Sequence, residues 1–371
     1  MTSIKAALAQ LAAGMAPERP GLPEAELVAA PATVEELAGL LRQATEAGMK
    51  TLIWGGGTHQ GYGGRVEPDL LLVTTRLNRI TAWEPDDLTV VLGAGVEAAD
   101  LEHRLAERGQ SAVLPTYQPG ATVGGLIAAG ISCYRRARYG PTRDRVLEVT
   151  LVTGDGRVVK AGGRVVKNVT GYDLPRLAAG SFGALGVIAE VCLKLWPVPP
   201  GAATVTVDDP ELAASRVYRP LAVLTTSNES RIYLSGTDAE VAAQIERLDG
   251  EAMPGWQWPA PLPGPVQLSL RVPPALVTTA LGRFPSGWSY IAQHGVGLIE
   301  TGGPNLEGAA DLRGWAESVG GALVVAVGSD DVYQRFDPWG KAPPTVDLQR
   351  RLVAAFDPVR ILNPGRLPGG I

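Results

Sequence analysis

Six glycines fall within eleven residues at positions 54–64, WGGGTHQGYGG, directly after the apolar run KTLIW. Glycine loses more backbone freedom on folding than any other residue, so such density demands either turns through positive φ or the close approach of something bulky. Two more small-residue segments lie far downstream, at 120–130 and 180–186, each following or interrupting strand-like sequence. One such loop is a turn. Three of them, in a chain that alternates strands and helices, point to separate backbones converging on one large ligand with phosphate groups. Consecutive amides in glycine-rich turns form anion-binding nests, and the missing Cβ lets a pyrophosphate come close.

The intervening sequence supports an α+β reading. In PATVEELAGLLRQATEAGM, Thr33 predicts an N-cap, Glu35 and Glu36 a first turn, and Gly48 the stop. KTLIW, DLLLVTTRL and LTVVLGAG predict strands, and EAADLEHRLAERG a helix closed by Gly109. RVLEVTLVTGDGRVVKAGG predicts a hairpin about Gly154, Asp155 and Gly156, and GALGVIAEVCLKLWPVP a pair of strands. The proline-rich stretch 197–210 marks the main boundary. Beyond it come five strand-like runs with two helical ones between them, then TVDLQRRLVAAFDPVRILNPGRL, a helix followed by an extended tail. The expected organisation is a helical segment at 1–29, a first α+β domain at 30–200 and a second at 201–371.

Composition removes several function classes. A chain of 371 residues suffices for two or three domains. Its net charge of −5 argues against a nucleic-acid binder. Cys133 and Cys192 make neither a disulfide framework nor a Cys-x-x-Cys pair. No apolar run approaches the ~18 residues of a membrane span, and the alanine-rich start is too short for a signal peptide, so a cytoplasmic setting is expected. Residues 93–98, GAGVEA, fit the dinucleotide fingerprint G-x-G-x-x-A, but the following strand region, SAVLPTYQP, lacks the carboxylate that holds a ribose. These glycines predict a tight strand–helix turn.

Taken in order, WGGGTHQGYGG, the segment from 115 to 199 (with RRARYGPTRD and VVKNVTGYDL) and FDPVRILNPGR resemble the PCMH-type FAD-binding domain of the vanillyl-alcohol oxidase family. Within it they most resemble the small flavin-binding subunit of bacterial glycolate oxidase. The resemblance runs from about Ala30 to Pro199 and resumes at the tail. It implies two α+β subdomains holding FAD and a smaller C-terminal α+β cap whose tail returns to the flavin. Gly55, Gly56, Gly57, Thr58 and His59 would wrap the pyrophosphate. Pro115, Thr122, Val123, Gly124 and Gly125 would line the second pyrophosphate and flavin contact, with Gly130 and Ser132 near the isoalloxazine. Arg143 and Asp144 would fix the loop around the cofactor, and Gly183, Gly186, Val187 and Ile188 would lie beside adenine and ribose. Asn363, Pro364 and Gly365 would reach the flavin edge. His59 sits at an offset that does not match covalent attachment, so the FAD is expected to be non-covalent.

Oxidation of a 2-hydroxy acid needs a cation for the carboxylate and a base or metal for the hydroxyl proton. The chain has three histidines, His59, His103 and His294, and only the last lies in the second domain. The metal site of stand-alone relatives is therefore not expected, and Arg231, Arg271, Arg283 and Arg335 read as surface charge. The resemblance implies a flavin subunit of a glycolate or other 2-hydroxy acid oxidase. Its implied partners are a larger paralogous flavoprotein and an iron–sulfur subunit, with peripheral membrane association through the complex. Two alternatives stay open: a stand-alone FAD oxidase or dehydrogenase of a small hydroxy acid or sugar, and a non-catalytic assembly subunit retaining the flavin fold.

Overall fold

The computed structural model describes residues 2–14, 22–164 and 171–371. Lys167 and Asn168, and the rest of the 165–170 stretch, lie outside them.

The first domain starts from a well-capped helix. Thr33 accepts the Glu36 amide at 3.1 Å, satisfying one of the helix's orphan donors, and the Glu36 carboxylate reaches back to accept the Ala32 amide at 2.7 Å, just before the cap. Helix Val34–Ala47 ends at Gly48 with φ 65° and buries Leu37, Leu40, Leu41 and Ala44. It lies on a three-stranded parallel sheet ordered Leu27–Ala29, Leu70–Val73, Thr51–Trp54. Every residue of the middle strand is buried, as an unbroken apolar run in a sheet covered on both faces should be. Because Leu27–Ala29 is part of this sheet, the domain begins before residue 30.

A second, antiparallel sheet follows in the order Ile80–Glu84, Thr89–Gly93, Val187–Lys194, Val146–Val152, Val158–Gly162. The expected strand pair in GALGVIAEVCLKLWPVP is one eight-residue strand, Val187–Lys194. It is central and almost wholly buried, hence its lack of alternation; only Trp196–Pro197 follows, pairing with Gln110–Ser111. The GAGVEA turn joins Thr89–Gly93 to helix Ala98–Ala106, where a Cβ on Gly93 would lie 2.1 Å from the Leu77 carbonyl oxygen. Close packing explains that glycine.

The cap is an eight-stranded antiparallel sheet, ordered Ala252–Pro254, Gly201–Val207, Ser230–Gly236, Ala222–Thr226, Ser289–Gln293, Leu298–Gly303, Val266–Arg271, Ala322–Val327. Side chains alternate across it. Leu268 and Leu270 enter the core shared with helix Ala309–Ser318, which turns Gln267, Ser269 and Arg271 to the opposite face. On that opposite face Leu224, Tyr233 and Ile291 pack against Tyr117, Tyr134 and Tyr139 of the first domain. The last part of the chain leaves the cap and packs on the first domain. Helix Val346–Phe356 packs Val353 against Ala184 and Leu185, and Asn363 donates its amide to the Thr51 carbonyl at 2.9 Å. The C-terminus therefore packs as part of the first domain. Among the described residues no helix is long and apolar enough to cross a membrane.

Candidate functional site

The glycine loop leaves strand Thr51–Trp54 and lies at a crossing of three chain segments. A Cβ on Gly56 would sit 1.8 Å from the Gly120 carbonyl oxygen, one on Gly61 2.0 Å from that of Ala326 in the cap, and one on Gly64 2.1 Å from that of Gly365. Glycine density here is therefore first a demand of protein packing, the close approach being that of other main-chain segments. A second property does suit an anion. The amides of residues 55–58 donate no hydrogen bond to any described residue, and Gly57 takes φ 78°. Four consecutive unpaired N–H groups form a nest open to a ligand.

That nest is one wall of a cleft. Gly55, Gly56, Gly57, Thr58 and His59 face Gly124, Gly125, Gly183, Gly186, Val187, Ile188 and Asn363 across it. Thr122 caps the short helix Val123–Ala129 by accepting the Gly125 amide at 3.3 Å, which fixes Gly124 and Gly125 at the rim. Asn363, at φ 44°, accepts the Ile53 amide at 2.9 Å and donates to the Phe182 carbonyl at 2.6 Å, tying the strand that carries the nest to the third small-residue loop.

Several other expected residues stand apart from the cleft. Gly130 and Arg143 line a separate cavity between the domains. Val123 is in the hydrophobic core, Pro115 is buried, and buried Ser132 accepts the Thr142 amide at 3.0 Å. Asp144 lies 3.9 Å from Arg143 and 3.0 Å from Arg176. Gly365 lies against Gly64.

Sequence reasoning missed Arg366, the cation lining the cleft. It is 5% exposed; Nη1 donates to the Gly64 carbonyl at 3.2 Å, Nη2 bonds Gln60 Oε1, and Nε has no partner among the described residues. Burial lowers its pKa to about 10, leaving it charged at neutral pH. Burial also lowers His59 to about 4, so its ring is neutral; Nδ1 shares a hydrogen bond with Thr58 Oγ1 at 2.9 Å. The cleft thus joins a nest of free amides, one buried guanidinium with a spare donor and a floor of small and apolar residues, a set matched to a diphosphate with an attached ring system.

Residues 25–162 match the FAD binding domain family. They lie within the first domain, which has the PCMH-type FAD-binding fold. The chain is 34% identical over 189 residues to glycolate oxidase subunit GlcE of Escherichia coli K12, a match covering 48% of this chain and 54% of that protein. It is 35% identical over 176 residues to a D-lactate dehydrogenase of Archaeoglobus fulgidus, covering 46% and 39%. Glycolate oxidase subunit GlcD of Bacillus subtilis matches at 32% over 186 residues, covering 49% and 39%. The chain thus spans about half or less of the length of these curated relatives. In fold it is similar to alkyldihydroxyacetonephosphate synthase, with a TM-score of 0.64 at 17% identity over 91% of this chain and 75% of that one.

FAD is the cofactor of this domain, and the cleft has the donors for its diphosphate. Thr58 and His59 also border a pocket between the FAD-binding domain and the cap, whose lining includes Tyr62, Tyr117, Tyr134, Gln267 and Glu300. Strand register explains the meeting: Glu300 pairs with Ser269, so it shares the inner face of the cap sheet with Gln267 and Arg271. The Glu300 carboxyl has no hydrogen-bond or ion-pair partner among the described residues, and burial raises its pKa to about 7. Desolvation foremost, with the Glu300 charge adding to it, holds all three phenols protonated. Sequence carried one overlooked signal here: a lone carboxylate inside the apolar strand Leu298–Gly303. His294 is elsewhere, bonding Thr225 Oγ1 at 2.8 Å, and no group of three metal-ligating side chains occurs among the described residues.

Proposed function

We propose that this chain is the FAD-bearing subunit of a 2-hydroxy acid oxidase or dehydrogenase, acting in the cytoplasm or at the inner membrane face within a larger complex. Its relatives include glycolate oxidase subunits and enzymes named for D-lactate and D-2-hydroxyglutarate. The observation that carries the reading is the junction of cleft and pocket at Thr58 and His59, which brings Glu300, the one carboxylate among the described residues of the pocket lining, beside the cleft.

When bound, the flavin supplies two-electron acceptance and one-electron release. The amides of residues 55–58 and the Arg366 guanidinium would hold the negative charge of its diphosphate, and the packed glycines would keep water from the loop's back. Glu300, poised near neutrality, can take a hydroxyl proton at its carboxylate and return it to solvent. The phenols of Tyr62, Tyr117 and Tyr134 can donate hydrogen bonds to an oxygen in the pocket. Both cysteines are buried and free, too few to ligate an iron–sulfur cluster; on this reading the electrons pass to another chain, for which an iron–sulfur subunit is the natural candidate.

The purified chain should be yellow, and acid precipitation should release all of its colour to the supernatant, as non-covalent FAD requires. Dye reduction with glycolate or lactate should need the co-purified partners; a colourless chain, or full activity from the chain alone, sinks the subunit reading. Glu300 favours one second reading, in which this chain's own flavin meets the substrate. Anaerobic bleaching of the isolated chain by a hydroxy acid, lost in Glu300→Gln, would establish it.

A further inference from the structure

The interdomain cavity beside the FAD cleft has an unbalanced charge. It measures about 520 Å³, within the range of small-molecule sites, and shares Ala129 and Phe182 with the cleft. Arg136 and Arg143 enter it from the FAD-binding domain and Arg271 from the inner face of the cap sheet, while no described residue of its lining is a carboxylate. Arg136 and Arg271 make no side-chain hydrogen bond or ion pair with any described residue. The nearby acid, Asp144, is engaged by Arg176 at 3.0 Å and lies 3.9 Å from Arg143. Burial first, then the charges of Arg271 and Arg143, lower the pKa of Arg136, and the Asp144 charge opposes them as the smallest of the four effects. Ser181, 6% exposed, is part of the lining and leaves its hydroxyl without a partner among the described residues. The remaining wall is largely aliphatic, including Leu177, Leu185, Leu298 and Leu352.

We propose that this cavity binds an organic carboxylate with an apolar chain. Its carboxylate lies between Arg136 and Arg271, with Arg143 adding to the positive field, and its hydrocarbon part covers the leucine wall. Guanidinium pairs match the planar carboxylate bidentately, and an apolar tail gains by leaving water. The reading rests on the cavity alone and holds whether or not the chain serves a 2-hydroxy acid oxidase.

Calorimetry on the purified FAD-loaded chain tests it with hexanoate, glycolate, hexanol and inorganic phosphate as probes. Hexanoate should bind at least about tenfold more tightly than glycolate or hexanol, with affinity falling as salt rises. Arg271→Met and Arg136→Met, which keep an aliphatic stem, should each weaken hexanoate about tenfold or more while leaving the melting temperature and flavin spectrum near wild type. Arg271→Lys should recover part of the loss. Equal binding of hexanol, unchanged hexanoate affinity in folded Arg271→Met, or phosphate binding as tightly as hexanoate would each overturn the proposal. So would binding of a glutamate-rich peptide in place of every small anion, which would assign the arginines to a protein partner.

Discussion

The FAD cleft and the interdomain cavity share a wall, yet they are made of opposite materials. The cleft presents main chain: unpaired amides, glycines and a single guanidinium that the fold itself buries. The cavity and the neighbouring Glu300 pocket present long side chains from distant strands and helices. Main-chain donors are fixed by φ and ψ and admit almost no substitution. Side-chain donors keep their backbone when exchanged, so their chemistry can change while the fold stays. The pairing teaches that cofactor capture in this protein is tied to folding, whereas ligand choice is separable from it.

Substitutions can break or sharpen that contrast. The largest effect is expected at Gly56, where a Cβ would overlap the Gly120 carbonyl oxygen. Gly56→Ala should yield insoluble chain or lose more than about 4 kcal/mol of stability in denaturant titration; a folded, yellow variant would show the loop is less constrained than its packing implies. Asn363→Ala removes both anchors of a buried side chain and places alanine at positive φ, so about 2–4 kcal/mol should be lost, measured by denaturant titration on the apo chain.

Arg366→Met separates binding from folding. It should weaken FAD about 10- to 100-fold, read as flavin retained on gel filtration or by fluorescence titration, as loss of a charge-assisted donor predicts. Glu300 sits on the other side of the comparison. Its folded pKa of about 7 exceeds the ordinary carboxylate value of 4.5, so it favours folding least above pH 7 and imposes no penalty below 4.5. Stability from this group falls as pH rises between those values. Glu300→Gln should therefore melt like wild type near pH 4.5 and higher at pH 8, by at most about 3 kcal/mol. Smallest is Gly125→Ala, whose Cβ meets only Thr122 Oγ1 at 3.0 Å. Helix propensity should leave apo stability unchanged or raised by up to about 1 kcal/mol, while FAD retention falls because the methyl enters the cleft.

The amino-acid sequence alone determined what is local. Thr33 and Gly48 bound their helix, and the 146–162 hairpin forms about its glycine turn. These features depend on a few consecutive residues, whose capping and φ requirements are readable in order. Tertiary structure decided the rest. Alternation shows that Gln267, Ser269 and Arg271 share a face, but only the pairing of Ser269 with Glu300, and the docking of Tyr62, Tyr117 and Tyr134, turn that face into a pocket. Likewise Arg366 reads as tail sequence until Gly64 and Gln60, some three hundred residues earlier, bury it. Burial and register are properties of pairs of segments, and desolvation by the second segment is what gives Glu300 and Arg366 their chemistry.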